Sequence, residues 1–156
     1  MAKDYVKNEA AREELGEALS RLLADSYTLY LKTHKFHWNV TGPNFVALHG
    51  LFMEEYTELA GAVDLIAERI RALGPMAPGS YTEFSKLGKV KDEPGTPAWS
   101  DMVKQLAADN TTVARTAAEV IEVAEKFDDV ATADLATERV NIHEKSAWML
   151  NSILAK

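Results

Sequence analysis

The chain of 156 residues contains no cysteine. This absence excludes disulfide bonds, thiolate metal sites and a cysteine nucleophile. No apolar run approaches the roughly 18 residues that a membrane span needs, so we expect no contact with a membrane. The first five residues, Met1–Tyr5, lack the apolar core of a signal peptide, and a cytoplasmic protein is the expectation.

Basic residues are in the minority. The chain has 17 Lys and Arg against 24 Asp and Glu, a formal charge of −7. This balance argues against strong, unaided attraction to nucleic acid or anionic lipid. Apolar residues make up 47% of the chain, enough to build a core, and the length fits one domain spanning residues 1–156.

Sustained two-residue alternation, the pattern of strands, is also missing. Apolar residues instead recur at three- and four-residue steps in four long segments, which predicts an all-α protein. The predicted helices run from about 8 to 38, from about 44 to 73, from Thr96-Pro97 to about 126, and from about 132 to 154. Thr96 is predicted as the N-cap of the third, with Pro97 in its first position.

The lengths of the connections between these segments indicate the topology. Helices one and two are joined by a short turn, as are helices three and four, so each pair is predicted to lie antiparallel. Residues 74–95 form a long connection, with room for a short helix around 82–87. The sequence therefore predicts a ferritin-like four-helix bundle whose long crossover carries a short helix between helices 2 and 3.

Two of the four histidines flank the first turn symmetrically. His37 and His49 have their midpoint at Pro43, so an antiparallel helix pair brings them to the same level. Two imidazoles at one level suit iron or zinc. The alternative is that each is an ordinary core or surface histidine.

Asp64 and Glu68 lie four residues apart on one face of the second helix. His49 is 15 residues before Asp64, about 22 Å along the axis, which is too far for one metal ion. A two-fold pairing of this helix with its copy, centred near residues 57–58, places His49 opposite the two carboxylates of the other chain. The alternative is a solvated face, with Glu68 paired to Arg69 or Arg71.

A metal site within one bundle is not encoded. Di-metal bundles use Glu-x-x-His motifs. The residues three positions before the four histidines are Leu31, His34, Val46 and Val140.

One stretch resembles a known family. The pattern is His34-x-x-His37-Trp38-Asn39-Val40-x-Gly42-Pro43-x-Phe45-x-x-Leu48-His49, followed by Asp64-x-x-Ala67-Glu68-Arg69-Ile70-x-x-Leu73-Gly74. It resembles the Dps (DNA-binding protein from starved cells) or mini-ferritin family. The resemblance implies a homododecamer built from two-fold dimers that oxidises Fe(II), with hydrogen peroxide as the favoured oxidant, stores the ferric product and so protects DNA.

The resemblance also implies roles for single residues. His37 and His49 are the expected metal-binding and catalytic ligands of one subunit, and Asp64 and Glu68 those of its partner. Iron is the expected metal, with zinc as a substitute. Trp38 is implied to lie near the iron and quench oxidising equivalents, or else to be an interface aromatic.

One position departs from the family pattern. Members generally carry Asp or Glu four residues after the second histidine, where this chain has Met53. A thioether is a poor ligand for hard iron, so one iron position is expected to be weakened, or completed by His34, water or Glu54. His34 lies one turn before His37, although we expect it to be exposed. Met53 as interface packing is the alternative.

Acidic residues suggest a route for iron. The resemblance implies three-fold pores lined by acids from the start of the last helix. Asp134 and Glu138, one turn apart, are the pore candidates, and Asp128 and Asp129 lie close by. The favourable macrodipole at a helix N-terminus is an equally good explanation. Three further acids of the second helix, Glu54, Glu55 and Glu58, are candidates for facing the cavity.

Support for DNA binding is weak. Residues 1–14 carry a net charge of −1, and only Lys156 is charged after Ile153. Lys86, Lys89 and Lys91 form the one basic cluster, and acids follow it directly. We expect weak DNA binding, with the bacterial nucleoid as an alternative location. Two other functions stay open: a DNA-compacting stationary-phase protein with an impaired ferroxidase site, and a structural bundle whose histidines and acids merely form an interface.

Overall fold

The computed structural model describes residues 8–156, and this part of the chain is built from helices without strands. The five helices are α1 (Glu9–Asn39), α2 (Phe45–Leu73), α3 (Tyr81–Leu87), α4 (Trp99–Lys126) and α5 (Val130–Leu154). The all-α prediction is confirmed, as are the long crossover between the second and third long helices and the short helix within it. None of the described helices is long and apolar enough to cross a membrane.

The four long helices share one apolar core. α1 packs against α2 and α4, α4 packs against α5, and α3 covers α1. The largest fully buried apolar side chains come from all four long helices: Leu15, Leu19, Leu22, Leu29, Phe36, Leu48, Phe52, Ile66, Ile70, Met102, Leu106 and Leu150. Their recurrence at three- and four-residue steps explains why one face of each helix is buried.

Asp25 holds the crossover against the bundle. Its buried carboxylate accepts hydrogen bonds from the backbone N–H groups of Lys89 (2.6 Å) and Val90 (2.9 Å), and from the hydroxyl of Thr116 (2.7 Å). Gly88 fits closely beside it, since a Cβ there would lie 2.9 Å from an Asp25 oxygen. The long connection is therefore an ordered segment fixed to α1 and α4.

The predicted start of the third long helix is wrong. α4 begins at Trp99, and Ala98 is its cap residue, in an extended conformation and without a side-chain hydrogen bond. The extended backbone of Ala98 keeps Pro97 outside the helix. Just upstream, the Lys35 ammonium donates to the carbonyls of Glu93 and Gly95, both at 2.6 Å, and so ties the end of the crossover to α1.

The last helix starts two residues earlier than predicted. Asp129 is its N-cap and accepts a hydrogen bond from the backbone N–H of Thr132 (3.1 Å). The Asp129 side chain is fully buried and also accepts from the guanidinium of Arg69 at 2.8 Å. Asp129 therefore joins α2 to α5 and does not belong to an exposed acidic cluster.

Candidate metal centre

His37 and His49 meet beside the turn between α1 and α2. The Nδ1 atom of His37 lies 2.7 Å from the backbone oxygen of His49, and the Nδ1 atom of His49 lies 2.8 Å from the backbone oxygen of His37. The two rings stack, with centroids 3.8 Å apart and planes inclined by 14°. The predicted common level of the two histidines is confirmed.

These reciprocal hydrogen bonds fix the tautomer of both rings. A carbonyl oxygen only accepts hydrogen bonds, so each Nδ1 must carry the proton. Each Nε2 is then left with a free lone pair whenever the ring is neutral. Second hydrogen bonds of this kind orient metal-binding histidines and set which nitrogen meets the ion. The pair is thus arranged as two imidazole ligands.

His34 stands beside this pair within an aromatic group. Its ring centroid lies 3.9 Å from that of Trp38, 4.2 Å from that of Tyr56 and 6.4 Å from that of His37. The expected exposure is wrong, because these neighbours leave His34 only partly exposed. Burial, and secondarily His37, lower the pKa of His34, so its imidazole is neutral at pH 7 and has a lone pair to offer.

The two acidic candidates are exposed on α2, which runs as one uninterrupted helix from His49 past Glu68. Neither Asp64 nor Glu68 forms a salt bridge within residues 8–156. The alternative pairing of Glu68 with Arg69 or Arg71 is not formed among the described residues, since Arg69 binds Asp129 and Arg71 donates to backbone carbonyls at the end of α2. Both carboxylates therefore remain open to a ligand from outside the chain.

A single chain does not close this centre. Within residues 8–156, no three His, Cys, Asp or Glu side chains come together to hold a metal ion. The uninterrupted α2 keeps His49 and Asp64 about 22 Å apart along the axis. The histidine pair and the two carboxylates therefore cannot hold one metal ion together within a single chain.

The residues after His49 differ in environment. Met53 is 49% exposed, and Glu54 is exposed as well. The carboxylate of Glu55 is buried in the bundle, and neither of its oxygens has a hydrogen-bond partner among the described residues. Burial, and then the neighbouring Glu54, raise the pKa of Glu55 to about 8. Glu55 is therefore a neutral interior group at pH 7, contrary to its expected place on the cavity surface.

A largely buried polar network spans the bundle near Glu55, and no pattern in the sequence indicated it. The guanidinium of Arg139 donates to both oxygens of Glu58 (2.6 and 2.7 Å) and to Nε2 of His143 (3.0 Å). Nδ1–H of His143 donates to the side-chain oxygen of Asn110 at 2.8 Å. Burial, followed by the charge of Arg139, lowers the pKa of His143 to about 3. His143 is thus a neutral structural histidine, and Glu58 is an ion-pair partner of Arg139.

The other charged candidates are at the surface. Asp134 and Glu138 are exposed one turn apart on α5, and Asp128 is exposed with a positive φ of 56° before that helix. Lys89 forms an ion pair with Glu119 at 2.7 Å, so Lys86 and Lys91 are the members of the predicted basic cluster without a salt bridge among the described residues. The acidic pair is therefore open to solvent, while the basic cluster is partly neutralised.

Comparison with known proteins shows to which family this chain is related. A family model described as a ferritin-like domain matches residues 16–156. The DNA protection during starvation protein of Brevibacillus brevis is 35% identical over 136 residues, covering 87% of this chain and 91% of that protein. The protein of the same name from Helicobacter pylori is 36% identical over 140 residues, covering 89% of this chain and 97% of its own.

Solved structures agree with this relationship. A Dps protein from Bacillus brevis superposes with a TM-score of 0.91 at 32% identity, covering 96% of this chain and all of that one. A Dps protein from Vibrio cholerae, described as a member of a broad superfamily of ferritin-like diiron-carboxylate proteins, has a TM-score of 0.90 at 28% identity and covers 96% of this chain. The chain therefore belongs to the Dps family of ferritin-like proteins.

Proposed function

We propose that this chain is the subunit of an iron-oxidising and iron-storing cage. Its whole length, residues 1–156, forms one ferritin-like domain. The observation that carries the proposal is the reciprocal hydrogen bonding of His37 and His49, which presents two Nε2 lone pairs from one end of the bundle. Asp64 and Glu68, exposed without salt-bridge partners in the described structure, supply the carboxylates from a second copy.

The outer face of α2 suits this pairing. We define it as seven exposed residues that fall within about 80° on the helical wheel: Val46, Gly50, Met53, Thr57, Gly61, Asp64 and Glu68. Small residues at its centre let two helices approach closely, and Met53 and Val46 add apolar area. An antiparallel two-fold pairing centred near residues 57–58 sets His49 opposite the midpoint of Asp64 and Glu68 of the partner subunit. Two identical sites per dimer result, as isologous symmetry requires.

The residues have distinct tasks in Fe(II) oxidation. Imidazole and carboxylate donors suit Fe(II), and the two carboxylates balance the charge that grows when each Fe(II) loses an electron. Hydrogen peroxide is the proposed oxidant: it takes one electron from each of two Fe(II) ions and two protons, and becomes water. Consuming peroxide in this two-electron step leaves no hydroxyl radical, which protects DNA chemically. Zinc, with similar donor preferences, is a proposed competitor for the same ligands.

Twelve such subunits form the proposed cage. Asp134 and Glu138, exposed one turn apart, are the proposed lining of its pores, where carboxylates attract Fe(II). All the relatives compared above are bacterial, and a bacterial cytoplasmic location is proposed with the function.

The second candidate function is DNA compaction. The relatives named for DNA protection favour it. The charges of this chain do not favour compaction. Non-specific DNA binding needs basic side chains that contact phosphates, and Lys89 is already paired with Glu119. Lys3 and Lys7 lie outside the described residues. We propose weak DNA binding, and a mobility-shift titration at low and moderate salt tests it: a complex that persists at moderate salt would favour compaction.

Ferric absorbance after addition of Fe(II) and peroxide tests the main proposal. The native protein is expected to oxidise Fe(II) faster than buffer and to keep the ferric product in solution. His49→Ala is expected to remove this activity. His143→Asn is the control for loss of a histidine outside the site, and it should retain activity wherever the variant folds. Equal rates in His49→Ala and native protein would contradict the proposal.

A further inference from the structure

An apolar groove lies between α1, α2 and the short helix α3. Its volume is about 520 Å³, and its lining includes Tyr27, Val63, Ala67, Tyr81 and Phe84. The side chain of Tyr81 is 72% exposed at the edge of this groove. Exposed apolar surface that is gathered in one place is typical of a contact with another molecule.

A stripe of three side chains on α1 lies beside this groove. Leu31, Lys35 and Trp38 follow one another at four- and three-residue steps, so they share one face of the helix. Leu31 is 40% exposed and Trp38 is 59% exposed. The three side chains line a second hollow, of about 570 Å³, which shares Tyr81 and Phe84 with the groove. The stripe and the groove are therefore neighbours on one face of the subunit.

The register of the helices shows what this stripe meets in the proposed dimer. The hydrogen bonds between His37 and His49 set these two residues at one level, so Leu31 is level with position 55 of α2 and Trp38 with position 48. The proposed pairing of α2 with its copy, centred near residues 57–58, brings positions 55 and 48 opposite positions 60 and 67 of the partner subunit. The α2 residues that line the groove are Ala60, Val63, Asp64 and Ala67. The stripe and the groove thus have the same length and the same level.

The charges of the stripe and the groove are complementary. By the same register, Lys35 is level with Asp64 of the partner subunit. The Lys35 ammonium donates to the carbonyls of Glu93 and Gly95 and has a third N–H to offer. Asp64 forms no salt bridge within residues 8–156. A carboxylate has two oxygens, so a contact with Lys35 leaves one of them for a metal ion.

We propose that the groove beside α3 holds the stripe of Leu31, Lys35 and Trp38 from a second copy of this chain. Two-fold symmetry makes the contact reciprocal, so each dimer encloses two stripes in two grooves. The inference rests on the dimer of the proposed function and adds the crossover helix α3 to its contact surface. Trp38 is then an aromatic anchor of the interface. Neither histidine of the metal centre takes part, so this contact can fail while the proposed iron chemistry stands.

Charge substitution followed by rescue tests the contact in the full-length protein. Leu31→Glu and Ala60→Arg each change an exposed position, so the subunit is expected to fold, and light scattering should show species smaller than the native assembly. Both substitutions in one chain place opposite charges across the contact and are expected to restore the native mass. Ala60→Arg with Ala118→Glu, exposed on α4, is the matched control and should stay dissociated. Native mass in both single variants, or a double variant no larger than its control, would overturn the inference.

Cysteine cross-linking gives a second readout that leaves the assembly intact. The native chain has no cysteine, so Trp38→Cys/Ala67→Cys carries the only two thiols. Within one chain these positions are about 28 Å apart along the helix axes, too far for a short bis-maleimide to join. A covalent dimer is expected on a denaturing gel, and none in the control Trp38→Cys/Ala118→Cys.

The cross-linking result also separates this contact from the proposed function. Single chains only, in a Trp38→Cys/Ala67→Cys variant that keeps the native mass, would overturn this inference and leave the proposed iron chemistry standing. A native protein that stays a single subunit in solution would overturn the proposed cage together with this contact.

Discussion

The hydrogen bonds that join His37 and His49 are the main structural support for the proposed metal site. Each imidazole is oriented by the backbone oxygen of the other histidine, so a ring that turns loses its own hydrogen bond and its stacking on the other ring. The sequence predicted this meeting because twelve residues and a short turn separate the two positions symmetrically. The tautomer of each ring could be assigned only from the structure, because the bonded carbonyls show which nitrogen stays free.

Met53 is the residue at which iron binding can be improved. Met53→Glu places a carboxylate one turn after His49 on the exposed side of α2, where it adds a hard oxygen ligand. We expect more Fe(II) bound per chain in an anaerobic stoichiometric titration than in the native protein. Ala118→Glu, at an exposed position of α4 outside the outer face of α2, is the control for added charge. No gain in occupancy on introducing Glu at position 53 would sink the idea that Met53 weakens the site.

Glu55 makes stability depend on pH. The unfolded carboxyl titrates near its usual pKa of 4.5, whereas burial raises the folded pKa to about 8. The folded state therefore holds a proton that the unfolded state has released, and stability falls as pH rises from about 4.5 to about 8. Below pH 4.5 the carboxyl is neutral in both the folded and the unfolded state, so Glu55 no longer makes stability depend on pH.

Glu55→Gln removes this titration. We expect the free energy of unfolding at pH 8–9 to rise by up to about 5 kcal/mol, with the gain disappearing near pH 4. Thermal melts across this range measure it. Glu122→Gln, an exposed acid on α4, is the control and should show no such trend. An equal gain at both ends of the range would contradict the titration of Glu55.

The bounds of the helices show how much of the fold could be predicted from sequence periodicity. The ends of α1 and α2 and the short helix of the crossover were predicted to within one or two residues, because turn residues and glycines bound them. The Thr96-Pro97 start was wrong by two residues, because the backbone stays extended through Ala98 and α4 begins at Trp99. His143 and Asn110 were missed because they meet across two helices that are distant in sequence.

The crossover depends on one buried carboxylate. Asp25→Ala leaves the N–H groups of Lys89 and Val90 without their acceptor, and the hydroxyl of Thr116 also loses a partner. We expect unfolding to become easier by about 2–4 kcal/mol, measured by urea denaturation. Asp101→Ala, at an exposed position of α4, is the control and should change stability little. A loss in Asp25→Ala no larger than in this control would show that the crossover is held by other contacts.

The net negative charge of the chain has a different consequence in the proposed cage than in a single subunit. In the proposed twelve-subunit cage, the formal charge of −7 on one chain becomes −84, and a shell of that charge is expected to attract cations and repel DNA. Asp134 and Glu138 on the surface fit a route for Fe(II), while Asp129 and Glu58 are committed to ion pairs within the fold. The acidic balance that opposes DNA binding therefore supports a cation store.

Assembly is proposed to depend on the small residues of the outer face of α2. A Cβ at Gly61 would meet no atom within 4 Å in the single chain, so Gly61→Arg is expected to leave the subunit folded and to block the close approach of two helices. Light scattering should show a cage for the native protein and smaller species for the variant. Gly79→Arg, equally unhindered but in the crossover, is the control. A Gly61→Arg variant that still forms the cage would place the dimer contact elsewhere.

Complementation between two inactive variants tests the inter-subunit centre most directly. His49→Ala lacks a ligand on one side of each site, and Asp64→Ala/Glu68→Ala lacks both ligands on the other. When the two are mixed under conditions that exchange subunits, half of the dimers pair unlike chains, and each of these has one complete site. We predict that Fe(II) oxidation returns to about a quarter of the native level. Two inactive variants that stay inactive after mixing, with exchange verified, would contradict a centre shared between subunits.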